Sequence, residues 1–115
     1  MKDIVAILKA LSDENRMRIL KLLENRNLCV CELEVLLNLS QPAVSHHLKV
    51  LYNAGLVDFE KEGLFVNYRL ADGVAPEVEN LRKVLLEALA GKEKVVEDLG
   101  KVKGIDREKI CSDKK

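Results

Sequence analysis

Cysteine and histidine carry most of the chemistry open to this chain of 115 residues. Cys29 and Cys31 flank Val30, and Cys111 stands alone near the C-terminal end. Two thiolates make a soft donor pair that prefers thiophilic ions to magnesium or calcium. Residues at i and i+2 do not face one another on a helix, so two intact helical positions cannot grip one ion together. Joint ligation therefore requires residues 28–32 to leave or distort helical geometry. By spacing alone, the pair reads more often as two small buried hydrophobes than as ligands. Oxidation or persulfidation of the same pair is the alternative chemistry. The sequence contains no paired carboxylates, nucleophile elbow or phosphate-cradling glycine loop. No strand is expected before the cysteines, as a thiol oxidoreductase would need. The chain is therefore expected to be no enzyme and to carry no organic cofactor.

A second constellation lies at residues 40–53. Ser40-Gln41-Pro42 is a helix start, capped by Ser40 or Gln41, and Gly55 closes the helix after about Ala54. With Val44 at the centre of the buried side, steps of 100° bring Leu48 and Leu51 beside it. Ser45, His46, Lys49 and Asn53 fall opposite. Short donors and acceptors, one cation and a helix N-terminus suit a reader of the DNA major groove. Gln41, Ser45 and His46 would approach base edges, Ser40 at the helix start is a further candidate DNA contact, and Lys49 would approach phosphate. The same residues also suit an ordinary solvated face; the elements around them favour DNA. His47 sits at the border of the buried face and reads as a structural histidine.

Those surrounding elements follow from periodicity. Ile4, Leu8 and Leu11 mark a first helix, and Ser12 is expected to cap a second, with Arg16, Arg18 and Lys21 outside. Residues 25–28 read as a turn, and Leu33, Leu36 and Leu37 as a short third helix. Strand-like segments 56–61 and 64–70 flank Glu62-Gly63, a tight hairpin signal. Lys61 near the tip and Arg69 near the base are candidate phosphate contacts, beside the unhelpful Glu60 and Glu62. A long helix follows with Val78, Leu81, Leu85, Ala88 and Leu89 on one face, weakened at Gly91 and fraying at Gly100 and Gly104. This order is that of a winged helix-turn-helix: mainly α, with a β-hairpin wing.

Nineteen basic residues cancel nineteen acidic ones. That balance is not the basic footprint usual in nucleic-acid binders, so affinity must come from local placement and from doubled contacts in a dimer. No secretion signal or membrane-spanning run is expected, which together with an odd number of cysteines points to reduced thiols in the cytoplasm.

Residues 27–33, with Leu28-Cys29-Val30-Cys31-Glu32-Leu33, and residues 39–51, with Ser40-Gln41-Pro42-Ala43-Val44-Ser45-His46-His47-Leu48, closely resemble the ArsR/SmtB family of metal-responsive repressors. Residues 11–20, Ala54-Gly55-Leu56-Val57 and Asn67-Tyr68-Arg69-Leu70 extend the resemblance over about residues 3–90. It implies a homodimer formed through the first and last helices, bound to a two-fold operator until an inducer arrives. Residues 1–99 would then form the DNA-binding and dimerisation domain, and 100–115 a charged, mobile tail. The cysteine segment is similar to the arsenic-sensing branch, which implies Cys29 and Cys31 as ligands of trivalent arsenic or antimony. That branch commonly has a third cysteine where this chain has Glu34. Cys111 is either the missing sulfur or an incidental thiol; an organoarsenical or mercury would need no third one. The zinc branch is not expected, since residues 77–99 hold no His, nor the cadmium and lead branch, since residues 1–28 hold no Cys.

Overall fold

The computed structural model describes residues 1–107 and Ile110; Cys111 lies outside the described residues. The elements run α1 (Lys2–Leu11), α2 (Glu14–Asn25), β1 (Leu28–Cys29), α3 (Val30–Leu37), α4 (Gln41–Asn53), β2 (Val57–Glu62), β3 (Phe65–Leu70), α5 (Pro76–Leu89) and α6 (Glu93–Val102). Ser12 closes α1, its hydroxyl donating to the Lys9 carbonyl at 2.8 Å. Asp13, not Ser12, caps α2: its backbone is extended and its carboxylate accepts from the Arg16 N–H at 3.0 Å. Leu20, Leu22, Leu33, Leu36, Leu48 and Leu51 fill the centre, so α2, α3 and α4 share one core.

Arg18 and Lys21, expected outside, are buried. The Lys21 ammonium donates to Glu24 at 2.6 Å and to the Leu86 carbonyl at 3.0 Å, while Arg18 grips Asp98. Periodicity counts apolar residues and misses a helix side that is covered by polar partners.

Residues 25–28 are not simply a turn. Leu28 and Cys29 pair antiparallel with Tyr68 and Asn67, adding a third strand in the order β1-β3-β2. Two residues are too few to show a period of two, and their partners lie about 40 positions away. In the hairpin Glu62 stands opposite Phe65, so the loop is Gly63-Leu64, one residue later than expected. Gly63 has φ +61°, matching the preference for glycine at the first central position of a tight hairpin.

The long C-terminal helix is broken. Residues 90–92 turn the chain, and α6 packs back against α2 and α3 with Val95, Asp98 and Val102 buried. Gly100, expected at a fraying end, lies inside α6. Beyond it Ile105 rests on the core and Arg107 reaches β3.

Candidate functional site

The helical wheel holds in α4. Val44, Leu48 and Leu51 are buried, whereas Gln41, His46 and Lys49 are exposed and Ser45 is half-buried. Ser40 is the cap, its hydroxyl accepting from the Ala43 N–H at 3.3 Å, and Pro42 occupies the first turn. The Gln41 amide donates to the Ser45 hydroxyl at 2.7 Å, which links two of the expected base readers on the open face.

His47 turns inward, toward the junction of α1 and α2. Arg16 places NH1 3.3 Å from Nδ1 of His47, and a guanidinium only donates, so Nδ1 accepts and the ring is neutral. Burial lowers the His47 pKa below its usual 6.5, against the pull of Asp13 and with the help of Arg16. Asp13 titrates below its ordinary value: burial alone would raise it, but the Arg16 N–H and the charges nearby outweigh that. Arg16 also donates to the carbonyls of Ala10 at 2.7 Å and Lys9 at 3.0 Å. It therefore fastens the end of α1 to α4 and sets the angle of the candidate reading helix. Periodicity sets Arg16 outside and carries no signal of this role.

In the wing, Lys61 is exposed near the tip. Arg69 donates to Glu60 at 3.0 Å, so its charge is already matched. Phe59 lies between Tyr52 of α4 and Tyr68 of β3, with ring centres 5.1 and 5.5 Å away. This aromatic row joins the wing to the end of α4, and burial raises the Tyr68 phenol pKa.

Cys29 is 2% exposed and is the N-cap of α3. Its sulfur accepts from the Glu32 N–H, and the Glu32 carboxylate accepts from the Cys29 N–H at 3.0 Å, a reciprocal capping box. The second Glu32 oxygen accepts from Arg26 at 2.9 Å. Cys31 is half-buried in the first turn. The two sulfurs thus belong to one helix start, one outside the helical geometry and one inside it. An ion shared by Cys29 and Cys31 would compete with the Glu32 N–H for the Cys29 sulfur. The donor set suits a thiophile that accepts two sulfurs. Among the described residues no group of three or more His, Cys, Asp or Glu is placed to hold a metal ion.

A further face is apolar. Ile4, Val5 and Leu8 of α1 and Leu81 and Val84 of α5 are exposed. Between the two helices lies a groove of ≈ 220 Å³ lined by Ile4, Ile7, Glu77, Val78 and Leu81.

Comparison with known proteins places this geometry. Residues 13–58, from the cap of α2 through the cysteines and α4 into β2, match the bacterial regulatory proteins of the arsR family. The arsenical resistance operon repressor of Staphylococcus aureus is 39% identical over 77 residues, 67% of this chain and 74% of that protein. The chain belongs to the arsR family. Among solved structures, reduced HlyU from Vibrio cholerae superposes with a TM-score of 0.65 at 38% identity, covering 76% of this chain and 88% of that one. A homodimeric winged helix-turn-helix DNA-binding domain from Mycobacterium bovis gives a TM-score of 0.66 at 27% identity, over 80% and 83% of the two chains. The arsenical resistance operon repressor of Escherichia coli K12 is 44% identical over 68 residues, 58% of this chain and 58% of that protein. This arsR-family chain is a winged helix-turn-helix, DNA-binding transcriptional regulator and not an enzyme. None of its described helices is long and apolar enough to cross a membrane.

Proposed function

We propose that this arsR-family regulator is a cytoplasmic homodimeric repressor that releases its operator when a thiophilic ligand takes Cys29 and Cys31. Trivalent arsenic or antimony is the inducer we favour. The observation that carries the reading is the seat of the Cys29 sulfur at the cap of α3, the helix packed directly on α4. A ligand that pulls this sulfur toward Cys31 removes the cap. Loss of a cap typically costs about 1 kcal/mol, enough to change how α3 presents α4. Ligand and DNA then prefer different geometries of one segment, which is what couples their binding.

Gln41, Ser45 and His46, with Ser40 at the helix start, meet the major groove of a two-fold operator, Lys49 approaches phosphate, and Lys61 and Arg69 do so from the wing. The exposed faces of α1 and α5 form the dimer contact; an apolar groove with bulky exposed neighbours is what a second copy would cover. The similarity to a homodimeric DNA-binding domain from M. bovis supports a dimer on DNA, and the similarity to the E. coli arsenical resistance repressor supports an arsenical inducer. Glu34 stands where a third sulfur would serve arsenic, and Cys111 is the candidate replacement. It follows Arg107 by four residues, a span of at most about 14 Å of chain.

The test is fluorescence anisotropy of the reduced protein on its own upstream DNA, with arsenite, antimonite or mercury added. Arsenite should release the wild type and leave Cys29→Ser bound; Cys111→Ser decides the third ligand. Release by oxidants alone would replace the metalloid sensor with a redox or persulfide switch. Absence of DNA binding at any salt would refute the repressor.

A further inference from the structure

Asn67 lies opposite Cys29 across the β1–β3 pairing, and its side chain is a junction. Its Nδ2 donates to Glu62 at 2.6 Å, and its Oδ1 accepts from NH1 of Arg107 at 2.5 Å. NH2 of Arg107 lies 3.5 Å from the other Glu62 oxygen, and the guanidinium carbon sits 4.4 Å from the Phe65 ring centre. One side chain from the C-terminal segment thus holds three residues of the wing, on both of its strands. The segment is itself anchored: Asp98 and Val102 of α6 are buried, and Ile105 rests on the core. Opposing residues in an antiparallel pair have Cα atoms only about 4.5–5.5 Å apart, so Cys29 cannot shift without disturbing Asn67.

We propose that Arg107 is a positioning residue for the DNA-binding wing, tying it through Asn67 to the strand that carries Cys29. A thiophile at Cys29 is then read at the wing as well as at α4. This second part rests on the reading of Cys29 and Cys31 given above; the positioning of the wing stands without it. A planar guanidinium is suited to the task, because it can face an amide oxygen, a carboxylate and a ring at once, which a lysine ammonium cannot. Its charge also offsets that of Glu62, an acidic residue of the wing.

The experiment compares wild type, Arg107→Gln and Arg107→Lys by operator anisotropy across a salt series and by hydrogen exchange of the wing. Arg107→Gln should weaken operator binding roughly fivefold, the effect of losing one partly exposed set of charged hydrogen bonds. Amides 65–67 should exchange faster while those of α2 and α4 keep their protection, and Arg107→Lys should fall between. The factor by which arsenite weakens DNA binding should also shrink in Arg107→Gln. Unchanged affinity with unchanged wing exchange overturns the proposal. So does weaker binding with unchanged wing exchange and a salt slope shallower by about 0.9, the mark of a direct phosphate contact. If arsenite fails to release even the wild type, the sensor reading falls, and wing exchange still decides Arg107.

Discussion

Replacing Asp98 tests what holds α6 to α2. Arg18 offers Nε and NH2 to the two Asp98 oxygens at 2.8 and 2.9 Å, and the side chains are 7% and 2% exposed. Asp98→Ala leaves the guanidinium buried, with the Asn15 side-chain oxygen at 2.9 Å as its remaining bonded partner among the described residues. Removing one member of a buried ion pair typically costs about 3–5 kcal/mol, because the other charge stays desolvated. The retained Asn15 bond places the expected loss at the lower end, about 3 kcal/mol. Domains of this kind have total stabilities of about 5–15 kcal/mol, so the variant should be visibly fragile. The double variant Arg18→Met/Asp98→Leu removes both charges and fills the space with apolar volume. It should unfold within about 1 kcal/mol of wild type or above it. Urea unfolding followed by circular dichroism gives both numbers, at one fixed protein concentration because a dimer's stability depends on it. A loss below about 1 kcal/mol for Asp98→Ala would refute the reasoning, since it would show that the charge of Arg18 does not depend on Asp98.

Further outcomes follow from the same structure. The native ring of His47 is neutral and its pKa lies below 6.5. Its contribution to stability is therefore full above pH 6.5 and is lost as pH falls from there toward the native value, because the unfolded chain takes up the proton first. The urea midpoint should drop between pH 7.5 and 5.5, and His47→Gln should flatten the drop; an unchanged wild-type midpoint counts against the assignment. Asp13 acts in a separate window: its lowered pKa gives stability that disappears only as pH falls below 3.8. At the α1–α5 face, Leu8→Glu puts a charge among exposed apolar residues. Sedimentation should show monomers, and operator affinity should fall with the loss of doubled contacts; a dimeric Leu8→Glu would move the interface elsewhere.

The residues of α4 are legible in the sequence by itself. Ser40 and Pro42 start the helix, Gly55 stops it, and Val44, Leu48 and Leu51 orient it, all signals exchanged within a few residues. The wing is legible for the same reason, with its loop displaced by one position, since glycine can serve at more than one point of a tight turn. The cysteines are legible as a soft pair just before a short helix, although α3 begins at Val30 and takes in Cys31. That Cys29 is itself the cap, with Glu32 answering it, is hidden because a sulfur is not among the usual capping groups.

What the chain alone does not disclose is which polar residues find partners across the fold. Arg18 meets Asp98 80 positions away, and Arg107 meets Asn67 40 positions away. Both arginines look like solvated surface when counted along a helix or a tail. The break at residues 90–92 and the strand at Leu28–Cys29 are of the same kind, whereas the inward turn of His47 agrees with its place at the border of the buried face. Local pattern decides where helices begin, end and turn their apolar sides. Only the packed structure decides which charge is desolvated and by whom, because that depends on surfaces brought together from distant parts of the chain.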